Sequence, residues 1–260
     1  MEVGIVGDAK AVLQSMLECA QANFPKKDWK NDAVVSRILR EKEEWFKSLA
    51  GYQTSDAIPI RPERILKTLR EILPRDGIIV TDVGWNKNGV GQQFPIYQPR
   101  THMPPGGLAT MGFGPSAAVG AKVGAPDKVV IALVGDGAFS SVSPAVATAV
   151  EHDLSVIWLV MNNYGYGVIT GLQKKAFGRA AYTEFKKTKT GEKYNPDFAL
   201  LAKAYGAEGH HIENPKDLRP ALEKAVASGK PTVLDVVMDP TVFVQTTGYW
   251  DVTDIFQGKM

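Results

Sequence analysis

The sequence holds a single cysteine, Cys19, among 260 residues. One cysteine excludes a disulfide framework or a four-cysteine metal or iron–sulfur site within this chain. No apolar run reaches the roughly 18 residues that a membrane-spanning helix needs, so no membrane partner is expected. The N-terminus has no basic stretch leading into a long apolar segment, so no signal peptide is expected and a cytoplasmic enzyme component is the default. A charge excess is missing too: the formal net charge is +2. Lys186, Lys187 and Lys189 form one local cluster in a polar stretch, and no basic stripe recurs. No nucleic-acid partner is therefore expected. Internal repeats and low-complexity tracts are absent. A dinucleotide fingerprint is absent as well, because Gly112-Phe-Gly114-Pro-Ser-Ala lacks the third glycine and follows no clear strand.

What is present centres on residues 129–169. Val129 to Val134 is apolar without alternation, as suits a strand buried on both faces of a parallel sheet. Gly135-Asp136-Gly137 ends it. Ser143 to Val150 has helical spacing, Ser155 to Met161 is a second apolar strand, and Asn162-Asn163 ends that one. Strand, helix and strand at this spacing make a right-handed crossover with parallel strands. Asp136 and Asn163 then both fall at carboxyl ends of strands, the edge where open α/β sheets bind ligands. A carboxylate and an amide oxygen are hard ligands, suited to Mg²⁺ or Ca²⁺. Two of them do not complete an octahedron, which implies a phosphorylated ligand that does. Gly137 and Ala138 leave backbone N–H groups at a helix start, where phosphate binds.

The rest of the chain reads as follows. Val3 to Val6 is a short strand, and Ala9 to Ala20 is a helix with Asp8 as N-cap. Asp32 to Leu49 is an amphipathic helix with Val35, Ile38, Leu39, Trp45 and Phe46 on its apolar side. Arg61 to Leu73 is a helix started near Pro62. Gly77 to Thr81 is a buried strand ending in Asp82-Val83-Gly84, and Trp85 to Asn88 lies on a strand-end loop. Ser116 to Val123 is a helix of small residues. Gly178 to Lys193 reads as a polar, flexible loop. Asn195 to Tyr205 and Leu218 to Ala227 are helices, and Thr232 to Val237 is a last strand. The fold class is α/β: a doubly wound, mainly parallel sheet with helices on both faces, plus a short N-terminal strand and helix.

Gly-Asp-Gly at 135–137 followed by Asn-Asn at 162–163 resembles the diphosphate-binding motif of thiamine-diphosphate enzymes. Gly106-Gly107, Leu108 to Gly124 and Asn195 to Gly206 resemble the flanking segments in the acetolactate synthase-like and 2-hydroxyacyl-CoA lyase-like group. The resemblance covers residues 55–240 as the cofactor-diphosphate domain. It makes residues 1–24 the end of a middle domain, 25–54 a helical linker, and 241–260 a tail acting as lid or subunit clasp.

By that resemblance, Asp136, Asn163 and the carbonyl of Gly165 ligate Mg²⁺, while Gly135, Gly137 and Ala138 contact the diphosphate of thiamine diphosphate. Met111 is the apolar wedge under the bent cofactor, with backbone groups of Ala109 and Met111 meeting its aminopyrimidine. Asn86 meets the diphosphate or is a turn asparagine. Val168, Ile169 and Leu172 form the substrate wall. Leu172 replaces a tryptophan usual in the synthases, Ala145 a glutamate, and Pro115-Ser116 a Leu-Pro pair. The implied chemistry is breaking or making a C–C bond on 2-keto acids or 2-hydroxyacyl-CoA thioesters. The family's activating glutamate has no counterpart in these residues. The resemblance therefore implies a second chain with the pyrimidine-binding domain and most of the middle domain, in a hetero-oligomer with at least two copies of each; a fragment of one longer chain is the alternative. The rivals are the β-subunit of a keto-acid oxidoreductase, whose cluster cysteines are missing here, and a non-catalytic regulatory subunit.

Overall fold

Strands that are apolar at every position need cover on both faces. The structure, a computed structural model, describes residues 3–26, 28–30 and 32–242. In chain order the elements are α1 (Ala9–Asn23), α2 (Ala33–Gln53), α3 (Pro62–Ile72), β1 (Ile78–Thr81), α4 (Trp85–Gln93), β2 (His102–Met103), α5 (Phe113–Gly124), β3 (Val130–Gly135), α6 (Asp136–Val142), α7 (Ala145–Glu151), β4 (Val156–Asn162), α8 (Gly167–Phe177), α9 (Phe198–Ala204), β5 (Glu208–Ile212), α10 (Pro215–Ser228) and β6 (Thr232–Val237). The strands form one sheet in the order β2-β1-β3-β4-β6-β5, and every ladder is parallel. The doubly wound α/β expectation holds, with a wholly parallel sheet. No helix among the described residues is long and apolar enough to cross a membrane.

Side chains of a strand alternate between faces, so an unbroken apolar strand feeds two cores. Ile131 and Leu133 of β3, with Ile157 and Leu159 of β4, join Ile65, Leu69, Leu218 and Leu222 from α3 and α10. Val130, Ala132 and Val134, with Val156, Trp158 and Val160, join Ala118, Phe139, Val146 and Phe198 from α5, α6, α7 and α9. Each large aliphatic side chain so buried contributes roughly 1.5–3 kcal/mol. The indole N–H of Trp158 would be unsatisfied in such a core. It donates instead to the Pro115 carbonyl at 3.0 Å. Helix starts are marked locally: Asp197 accepts from the Leu200 N–H at 2.7 Å, and Asn214 from the Lys216 N–H at 3.0 Å ahead of Pro215.

The chain divides into two compact units, residues 1–48 and 49–260, and α2 runs across the division. In the first unit Asp8 caps α1, accepting from the Ala11 N–H at 3.0 Å. No residue of α1 is buried.

Three expectations need correction. Residues 3–6 form no strand and belong to no ladder among the described residues. Trp85 to Asn88 lies on α4 and not on a loop, with Trp85 and Asn86 both buried. The stretch 178–193 is tied down: Tyr166 N–H donates to the Thr183 carbonyl at 2.9 Å, Phe185 N–H to the Tyr164 carbonyl at 2.8 Å, and Lys186 pairs antiparallel with Lys193. Three elements had no strong sequence signal, namely β2, α8 and β5. The tail beyond residue 242 lies outside the described residues, so its role as lid or clasp has no structural account.

Candidate functional site

The ladder of β3 and β4 pairs Gly135 with Met161, so Asp136 and the asparagine pair emerge side by side at the carboxyl edge. Asp136 is the first residue of α6 and is 1% exposed. Its Oδ1 accepts from the Gly137 N–H at 3.0 Å. Its Oδ2 accepts from the Gly165 N–H at 3.0 Å and from Asn195 Nδ2 at 2.7 Å. Burial nevertheless pushes its pKa up to about 6, against the lowering effect of Asn195, Gly165, Gly137 and Tyr164. Among the described residues no lysine, arginine or histidine forms an ion pair with it. A buried carboxylate with backbone donors and no cationic partner fits a site for a cation.

The neighbourhood restricts which cation. Among the described residues no group of three or more histidine, cysteine, aspartate or glutamate side chains could hold a metal. The donors at these strand ends are the Asp136 carboxylate, amide oxygens and backbone carbonyls, all hard donors. Such a set suits Mg²⁺ completed by phosphate oxygens and water. Asn163 is half-buried and packs against Gly167. Tyr164 turns the chain with φ 58°, which brings Gly165 back over Asp136. Gly165 cannot be larger: a Cβ there would stand 2.5 Å from the Thr183 carbonyl oxygen. Gly137 is confined by side chains instead, since its Cβ would meet the Tyr166 ring at 2.5 Å. Gly135 faces open space and Ala138 is buried.

The other residues singled out in the sequence fall around this edge. Met111 is 42% exposed, and Ala109 takes a left-handed φ of 49° in the same turn. Val168, Ile169 and Leu172 lie on α8, with Val168 close to Gly84 and Ile169 exposed. Asn86 is buried, and its Nδ2 donates to the Leu133 carbonyl at 3.0 Å. Any contact it makes with a ligand is left to its other polar positions. One further residue, His102 on β2, was not among them; it sits 3.2 Å from Thr81 Oγ1, and burial holds its pKa below the ordinary imidazole range.

Two site residues had escaped the sequence analysis. Asp82, fully buried after β1, accepts from the N–H groups of Val83 at 2.7 Å, Gly112 at 3.0 Å and Gly114 at 2.6 Å. It therefore clasps the turn that presents Ala109 and Met111. A strand-end aspartate facing a glycine-rich segment was the available signal. Asn195, before α9, bridges Asp136 and Asn162 at 2.7 Å each, and nothing in its local sequence announces that.

Residues 82–236, more than half of the chain, match the family described as thiamine pyrophosphate enzyme, C-terminal TPP binding domain. The chain belongs to that family. The match of this TPP-binding domain begins at the clasping Asp82 and ends on β6, so it contains the whole carboxyl edge just described. A probable acetolactate synthase large subunit of Methanocaldococcus jannaschii is 33% identical, over 92% of this chain and 39% of the relative. An acetolactate synthase large subunit of Lactococcus lactis is 30% identical, over 94% and 40%. The large subunit of acetolactate synthase isozyme 3 of Escherichia coli is 28% identical, over 92% and 40%. The chain thus spans about two fifths of the length of these curated relatives.

Proposed function

We propose that this chain carries the diphosphate and metal site of a thiamine-diphosphate-dependent enzyme that breaks or makes C–C bonds next to a carbonyl. The observation that carries the proposal is Asp136: a buried carboxylate without a cationic partner among the described residues, at the ligand edge of a sheet of this family. Asp136, the Asn163 amide oxygen and the Gly165 carbonyl would hold Mg²⁺. Backbone groups of Gly135, Gly137 and Ala138, at the start of α6, would meet the diphosphate, with Asn86 as a further contact. When bound, thiamine diphosphate supplies an electron sink for the carbanion left at a cleaved C–C bond. The chain's own part is to fix the anionic end of that cofactor and to hold the cation that would neutralise it. Ala109 and Met111 would set its conformation. Val168, Ile169 and Leu172 would exclude water from the substrate side. The substrate class is 2-keto acids, with 2-hydroxyacyl-CoA thioesters as the alternative; the named relatives favour the former. Calorimetry of thiamine diphosphate with and without Mg²⁺ tests the reading. A binding heat that ignores the metal would refute it.

Met111 touches the cofactor by shape alone in this reading. Met111→Leu keeps the bulk and is expected to keep most turnover. Met111→Gly is expected to lose turnover while metal binding stays close to the parent. Parental turnover in Met111→Gly would remove the wedge role.

The site is completed, on this proposal, by a second chain that brings the cofactor's pyrimidine-binding domain, the activating glutamate and the rest of a middle domain. Leu13, Met16 and Leu17 on α1 are each more than half exposed, which supports residues 1–24 as part of a larger domain. The assembly would hold at least two copies of each chain. Native mass spectrometry of material purified from its source is expected to show that hetero-oligomer. A lone 28.2 kDa chain that turns over substrate with thiamine diphosphate would overturn the partner proposal.

A further inference from the structure

A line of polar side chains leaves Asp136 and crosses the sheet. Asn195 Nδ2 lies 2.7 Å from Asp136 Oδ2 and 2.7 Å from Asn162 Oδ1. Asn162 Nδ2 donates to Asp235 Oδ1 at 2.9 Å. Asp235 Oδ2 lies 2.7 Å from His211 Nδ1, and His211 Nε2 lies 3.2 Å from Glu213 Oε1. The line therefore runs from the end of β3 through β4 and β6 to the edge strand β5. Asn162 and Asp235 are each 2% exposed, so solvent does not substitute for these bonds.

The polarity of the line is fixed by its ends. Ionised carboxylates accept and do not donate. Asn195 must then turn its nitrogen, with both hydrogens, toward Asp136 and Asn162. Asn162 accepts with its oxygen and donates onward to Asp235. Turning either amide over would set oxygen against oxygen at one end of the line. Two carboxylates thus hold two amides in one orientation, and a half-satisfied version is costly in a buried site.

The effect at Asp136 is specific. Oδ2 is held by both Asn195 and the Gly165 N–H, whereas Oδ1 takes only the Gly137 N–H among the hydrogen bonds described. The carboxylate cannot rotate without losing Asn195. Oδ1 is left as the oxygen with room for another partner.

We infer that Asn195 is a positioning residue that fixes the Asp136 carboxylate with Oδ1 toward the cation, and that Asn162, Asp235 and His211 hold Asn195 in that pose. The inference rests on the cation reading of Asp136. The test measures Mn²⁺, as a stand-in for Mg²⁺, by electron paramagnetic resonance with thiamine diphosphate present, on the full chain with whatever partner co-purifies. Asn195→Ala is expected to weaken Mn²⁺ binding by roughly 10–100-fold, the usual cost of losing a partner of a metal ligand. Asp235→Asn is expected to weaken it less. The double variant should bind no more weakly than Asn195→Ala alone, because the line acts through Asn195. A merely structural role would lower the melting midpoint of the cation-free protein and leave Mn²⁺ affinity of the folded protein unchanged. Parental affinity in Asn195→Ala, or effects that multiply in the double variant, would overturn the inference while the cation reading stands. If parent and Asp136→Ala bind Mn²⁺ equally, the cation reading fails and takes the inference with it. Should Asn195→Ala not fold, Asn195→Ser keeps one shorter donor and is expected at an intermediate affinity; parental affinity there overturns the inference equally.

Discussion

Asp136→Ala is expected to abolish Mg²⁺-dependent binding of thiamine diphosphate and to leave the fold in place. The substitution removes the one charged donor of the proposed set; the Asn163 amide and the Gly165 carbonyl are neutral. Mg²⁺ sheds water reluctantly and is held through one or two carboxylates plus phosphate. The change leaves the donors Gly137 N–H, Gly165 N–H and Asn195 without their acceptor, so some stability is lost, but neither apolar core includes Asp136 and the fold should remain. Asn163→Ala is expected to lose binding as well. Calorimetry on the assembled enzyme, with a thermal melt beside it, gives both readouts. Unchanged affinity in both variants would sink the metal assignment. The pH dependence has a definite sign. With a pKa pushed up to about 6, Asp136 must give up a proton to take the cation, so cation affinity falls as pH drops through that value. In the cation-free chain the same shift works the other way: its stabilising effect is complete below the ordinary carboxylate pKa and is lost as pH rises through about 6.

Asp82→Ala is expected to cost about 3 kcal/mol of stability, because three backbone donors lose a charged acceptor inside the protein. For a unit of this size that lowers the melting midpoint by roughly 6–12 °C. It should also release the turn that carries Ala109 and Met111, so turnover falls in the variant that remains folded. Asp82→Asn, which keeps one acceptor but places an amide nitrogen against the same donors, should fall between. Urea and thermal unfolding check the first part. A midpoint at the parental value in Asp82→Ala would show that the clasp contributes nothing.

How far the sequence shows this site depends on how local each signal is. The strands β3, β4 and β6 are mostly apolar and buried because helices cover both faces, and they could be recognised from that, although the buried Asp235 within β6 breaks the run. The edge strand β5 is Glu-Gly-His-His-Ile, with one half-exposed face and two histidines, so it carries no apolar run. Asp136 and the asparagine pair were legible because both end strands that could be recognised. Asn195 was not, since it stands 59 positions beyond Asp136 and reaches it only through the folded chain. Residues 3–6 show the opposite failure. Their valines and isoleucine have strand propensity, but a strand exists only in a ladder, and propensity cannot supply the neighbour. Gly84 after β1 reads as a turn that leads into a loop, but it is the N-cap of α4, which starts immediately after it and buries Asn86.

The sheet order has a consequence for how the chain is made. β5 pairs only with β6, yet it precedes β6 by the whole of α10. As the polypeptide leaves the ribosome, β5 emerges with no ladder to join, and β4 shows a bare edge on the side that β6 will fill. Both wait for residues 232–237. Unpaired edges of this kind recruit wrong partners, so the interval is the stretch of synthesis most exposed to misassembly. A nascent chain stopped before Thr232 would forfeit two strands, not one. It would also lack Asp235, leaving Asn162 and His211 without the acceptor they share.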